Sequence, residues 1–144
     1  IWTILLIIVA IGLLWGGFTR IDQFFKDFKH KIILKTTVFF AFICLIMTAI
    51  IPMNEGLWHK LPAILFFLSY NFFVFAFGLL RSLSQVRSGF FSVCIGSLML
   101  LSTLLLIPFP KGGISEILYI QLIAFWNLLM LIKGNKRTNN QLTS

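Results

Sequence analysis

The chain has 144 residues, 59% of them apolar and 11% charged, where an ordinary soluble domain carries roughly a quarter charged residues. That composition excludes a water-covered globular surface. The formal charge of +8 is not gathered into a basic patch interleaved with exposed aromatics, which excludes nucleic acid as a partner.

Uncharged runs organise the chain, each long enough to cross a hydrocarbon core of roughly 30 Å as a helix. The first covers residues 1–17. Within it Gly12 and Gly16 form a Gly-x-x-x-Gly pair, a spacing that lets membrane helices approach closely. In residues 18–31, Phe18, Ile21, Phe24, Phe25 and Phe28 recur at helical spacing, with Lys26 and His30 opposite them. This pattern suits a short interfacial helix whose lysines meet anionic headgroups. The alternative is a cytoplasmic extension of the second helix.

The second span is expected over residues 34–53, with Lys35 snorkelling at its start. A short connection containing Pro52, Glu55, Trp58, His59 and Lys60 leads to the third span, 61–80, where Pro62 suits a first turn. Ser69, Tyr70 and Asn71 lie near its centre. After Arg81 and Arg87 comes the fourth span, 88–108, where Ser88, Ser92 and Gly96 repeat every four residues as a packing face. A second Pro/Gly-rich connection holds Lys111. The fifth span, 114–132, has Glu116 in its first turn and carries Gln121 and Asn127. A polar tail, 134–144, completes the chain. Nothing alternates as barrel strands would.

The expected fold is therefore all-α: a single polytopic membrane helix bundle over residues 1–133 with five transmembrane helices. Ten of the twelve basic residues fall on alternate connections and the tail; Lys60 and Lys111 alone occupy the other side. The positive-inside rule places the basic side in the cytoplasm, the amino terminus outside and the carboxyl terminus inside, across the cytoplasmic membrane. The chain starts at Ile1 with no signal-peptide pattern. An upstream segment containing one more helix is the expectation, with proteolytic maturation as the rival.

Chemistry-bearing residues are sparse. No Asp, Glu, Lys, Arg or His falls near the middle of an expected span, which lowers the weight of proton relays, voltage sensors and ion-coupled carriers. Tyr70, Asn71, Gln121 and Asn127 are candidate intramembrane polar contacts between helices. Cys44 and Cys94 lie in apolar runs without Cys-x-x-Cys spacing and are read as packing residues. The candidate outer-face polar cluster is Glu55, Trp58, His59, Lys60, Lys111 and Glu116. His59 and Glu116 open two helices that run the same way and can share a membrane depth. The competing reading makes His59 interfacial and the carboxylates caps. No catalytic residue, metal or cofactor is assigned.

The stretch from about residue 36 to 133 resembles a prokaryotic family of uncharacterised six-helix membrane proteins, distantly similar to the DRAM and FRAG families of eukaryotic membrane proteins. Ile51-Pro52, Trp58-His59, Pro62-Ala63, the run from Gly113 to Glu116, and Trp126 carry the resemblance. It implies a sixth helix upstream of Ile1 and a His and Glu-Arg polar cluster. Here Ile51 replaces the family's usual Phe and Ile117 its Arg, which weakens that cluster. The resemblance supplies no activity. The preferred reading is a non-enzymatic bundle, an accessory or regulatory subunit that binds membrane lipids or another membrane protein. The alternative is an enzyme or transporter acting on a lipid-linked or amphiphilic substrate at the outer face.

Overall fold

A computed structural model describes residues 2–83, 87–106 and 121–132, and their regular structure is helical throughout. Helix α1 covers Trp2–Phe24, α2 Phe28–Ile50, α3 Leu57–Leu83 and α4 Arg87–Leu106. A fifth helix, α5, is described over Gln121–Ile132. Three stretches, Thr3–Phe24, Phe28–Ile50 and Leu57–Leu83, are long and apolar enough to cross a membrane. Large apolar side chains such as Ile4, Ile8, Trp15, Phe39, Phe72 and Phe91 stand exposed on the outside of the bundle. A surface of this kind is suited to lipid and would aggregate in water.

The first helix runs well beyond residue 17. Its last turn closes through the Phe25 N–H on the Ile21 carbonyl at 3.0 Å. Asp27 then stops the chain and starts it again: its backbone is extended, and its carboxylate accepts from the Lys29 N–H at 3.1 Å as an N-cap. Residues 18–31 are thus divided between the end of α1 and the start of α2, and form no separate interfacial helix. The reason lies in the apolar stripe itself. Ile21 and Phe25 are buried in the bundle core while Phe28 stays exposed, so the centre of the face expected to lie on lipid packs against protein instead.

At the other end of α2, Pro52 follows the extended Ile51, which it disfavours from helical geometry. A single 3-10 turn, Met53–Glu55, leads to Gly56 at φ +57°, a conformation few residues with a side chain adopt. Helix α3 then begins at Leu57, earlier than residue 61. Pro62 consequently sits in the second turn, where it leaves the Trp58 carbonyl without its usual intrahelical donor.

Successive helices pack as neighbours, α1 on α2, α2 on α3 and α3 on α4. The α3–α4 contact is the closest. A Cβ built on Gly78 would lie 2.4 Å from the Val93 nitrogen, and one on Gly96 would lie 2.7 Å from Phe75 backbone atoms. Each glycine admits the other helix's main chain, as the small-residue repeat on the fourth span leads one to expect. The Gly12–Gly16 pair behaves differently. Gly12 faces open space, Gly16 faces only the Arg20 guanidinium, and it is Gly17 that meets a neighbouring helix, at Val38.

An aromatic core joins α1, α3 and α5. Tyr70, Phe73 and Phe77 each meet the Trp126 ring nearly edge-on, with centroids 5.7 to 6.4 Å apart. Phe24 at the end of α1 and Phe25 just beyond it cover Phe77 in the same manner. Such edge-to-face packing aligns positive ring edges with negative ring faces.

Candidate functional site

The polar interior centres on Arg20, one turn or about 6 Å before the end of α1. Its side chain reaches across to α5, where Nη1 donates to the Asn127 Oδ1 and Nη2 to the Asn127 carbonyl at 3.1 Å. Asn127 Nδ2 in turn donates to the Tyr70 hydroxyl and to the Ile123 carbonyl, both at 2.8 Å. One asparagine therefore links α1, α3 and α5. The guanidinium carbon also stands 5.5 Å from the centroid of the Trp126 ring, which offers it a π face. Trp126 Nε1 donates to Ser92 Oγ at 3.2 Å, extending the network to α4.

Arg20 is only 7% exposed, and a buried cation ordinarily has an anion beside it. Among the described residues no carboxylate pairs with Arg20; its partners are an amide side chain, a peptide carbonyl and an indole ring. The acidic group nearest in sequence, Asp22, is engaged elsewhere, with Lys31 at 3.4 Å and Lys35 at 2.8 Å. Two residues along a helix is roughly 200° around it, so Asp22 faces the opposite side of α1. Beside Arg20 lies a cleft of about 140 Å³ between Trp15, Gly16, Thr19 and Gln23 of α1 and Met130 and Leu131 of α5.

A second buried arginine, Arg81, closes the carboxyl-terminal end of α3. The Arg81 guanidinium lies 4.0 Å over the Phe24 ring and 5.9 Å from Phe77.

The candidate intramembrane contacts fall into place unequally. Tyr70 and Asn127 bond to one another as part of the Arg20 network. Asn71 is fully buried and donates to the Met99 carbonyl of α4 at 3.0 Å. Gln121 is exposed at the start of described α5. The Ser69 hydroxyl returns to its own helix at the Leu65 carbonyl.

At the connection between α2 and α3, Glu55, Trp58 and Lys60 are exposed, while His59 is half-buried, with Nδ1 2.7 Å from the Ile51 carbonyl. A carbonyl can only accept, so Nδ1 carries the proton and the imidazole ties the start of α3 to the end of α2. Lys111 and Glu116 lie outside the described residues, and with them any meeting of His59 and Glu116. Among the described residues no three His, Cys, Asp or Glu side chains converge as metal ligands.

Arg20 and Trp126 are the residues that sequence reasoning did not place in a site. Arg20 stands only three residues past the expected end of the first span, where a basic residue reads as a membrane flank. The available signal was Asn127, a strong polar group within an apolar segment that needs a partner from another helix. Compared with protein-family models, curated proteins and solved structures, the chain matches none.

Proposed function

We infer that the protein is a five-span bundle of the cytoplasmic membrane, with its amino terminus outside and carboxyl terminus inside. In that membrane it acts without catalysis, as an accessory or regulatory subunit that binds lipid or a membrane-protein partner. The observation that carries this reading is the mutual bonding of the interior polar groups. Arg20, Tyr70, Asn71, Ser92 and Trp126 tie helices together, which builds a fixed scaffold whose apolar outer faces are its means of contact. His59 supports the same reading, because its bond to the Ile51 carbonyl is that of a cap. Orientation rests on the ten basic residues gathered at one end of the spans.

The test is mass spectrometry of molecules that co-purify with the full chain in a mild detergent. A defined lipid or protein recovered in constant proportion is expected. Recovery of the bare chain would overturn the binding role, and turnover of a co-purified lipid would establish an enzyme instead.

A further inference from the structure

The cleft beside Arg20 combines features that the scaffold alone does not require. Its volume of about 140 Å³ is roughly ten times what a single water needs. The guanidinium on its wall uses two nitrogens on Asn127, leaving further N–H donors of its fork, with no carboxylate partner among the described residues. Thr19 donates its hydroxyl to the Trp15 carbonyl at 2.9 Å, so its oxygen retains acceptor capacity. Gly16 adds no side chain over the guanidinium, and an added Cβ would sit 3.7 Å from Nη2.

Depth supplies the second argument. Asp22, Lys31 and Lys35 form a partly exposed ion cluster on the opposite side of α1. Charged groups that remain exposed on a membrane helix belong at headgroup level, and Asp22 lies only about 3 Å along the axis from Arg20. The cleft therefore opens near the phosphates of one leaflet. From its mouth an apolar strip of Trp15, Ile11, Ile8 and Ile4 runs at four-, three- and four-residue spacing toward the bilayer centre, each side chain more than half exposed.

We propose that this cleft seats the phosphate of an anionic phospholipid, paired with Arg20, while an acyl chain lies along the exposed strip of α1. A planar guanidinium suits a phosphate's paired oxygens, and the Thr19 oxygen suits a headgroup hydroxyl. The proposal rests on the lipid-binding reading above and gives it a site and a ligand class.

Native mass spectrometry of the full chain in mild detergent, titrated with phosphatidylglycerol, phosphatidylcholine or sodium phosphate, tests it. Phosphatidylglycerol is expected to bind about tenfold more tightly than phosphatidylcholine, whose own ammonium offsets the same phosphate and whose headgroup offers Thr19 no hydroxyl. Arg20→Gln should abolish the preference but also weakens the bundle. Gly16→Leu, which fills the cleft and replaces neither Arg20 nor Asn127, should abolish it with helical circular dichroism unchanged. Leu131→Trp, filling the cleft from α5, should do the same. Equal binding of the two lipids by the wild type overturns the site while leaving lipid binding in place, and so does a preference that survives in the folded cleft-filling variants. Displacement of phosphatidylglycerol by equimolar sodium phosphate overturns the lipid in favour of a free anion. Failure to bind either lipid, with no protein partner recovered, removes the proposed function as well.

Discussion

Asn127 is the residue on which the interior depends most, because its two amide atoms and its carbonyl serve three helices at once. Asn127→Leu keeps the branched shape but strips the Oδ1 bond from a buried guanidinium, leaving it the main-chain carbonyl. We expect it to cost about 2 kcal/mol, measured by unfolding in mixed micelles, since a lost hydrogen bond to a buried charge is more expensive than a lost neutral one. Tyr70→Phe removes only the hydroxyl that accepts from Nδ2. It should cost about 0.6 kcal/mol, the usual worth of an interhelical hydrogen bond in a membrane protein. Equal losses for the two variants would show that Arg20 finds another partner when Asn127 is removed. Polar type was legible here, since Asn71 and Asn127 announce themselves within apolar runs. The partner was not, because Arg20 lies over a hundred residues away in a segment that looks like a flank.

At the scale of the helix, glycines with the same local look have opposite consequences. Gly78→Ala and Gly96→Ala each push a methyl into the backbone of the facing helix and should each cost about 1 to 3 kcal/mol, the usual range for overpacking. Gly12→Ala meets open space and should stabilise by up to about 1 kcal/mol through helix propensity. Thermal unfolding of the three variants in one detergent checks the sign of each. A destabilised Gly12→Ala would reveal a partner on that face. The four-residue repeat on α4 was readable because Ser92 and Gly96 leave a groove that α3 can enter. The Gly12–Gly16 pair shows why spacing alone is insufficient: a small-residue pair creates the opportunity for close approach, and the neighbour's position decides whether it is used. Helix ends were read less well for a similar reason. The stripe from Phe18 to Phe28 has the period of a helix, and period does not tell whether its apolar face meets lipid or protein.

For the molecule as a whole, the alternation of basic and nearly charge-free connections carries the proposed orientation. In a background of Cys44→Ala and Cys94→Ala, Asn54→Cys should react with an impermeant thiol reagent in intact cells, and Lys26→Cys should react only after lysis. The reverse pattern would invert the bundle. The alternation of apolar runs and charged connections was legible from composition alone, since continuous apolar runs have few alternatives to the membrane helix. The way α5 closes on α1 was not, because continuous apolarity around a helix gives no indication of which face meets which neighbour.

That closure has a consequence in time. Arg20 and Asn127 are separated by 107 positions in the chain, and at a synthesis rate of roughly 5 to 20 residues per second about 5 to 20 s pass between their emergence. Throughout that interval the Arg20 guanidinium lacks its two acceptors on Asn127. Arrival of α5 is then expected to draw Arg20 inward and to join α1 to α3 through Asn127. A chain halted before Gln121 should accordingly keep Arg20 open to the aqueous phase, and a nascent bundle should become resistant to protease only once Asn127 has been made.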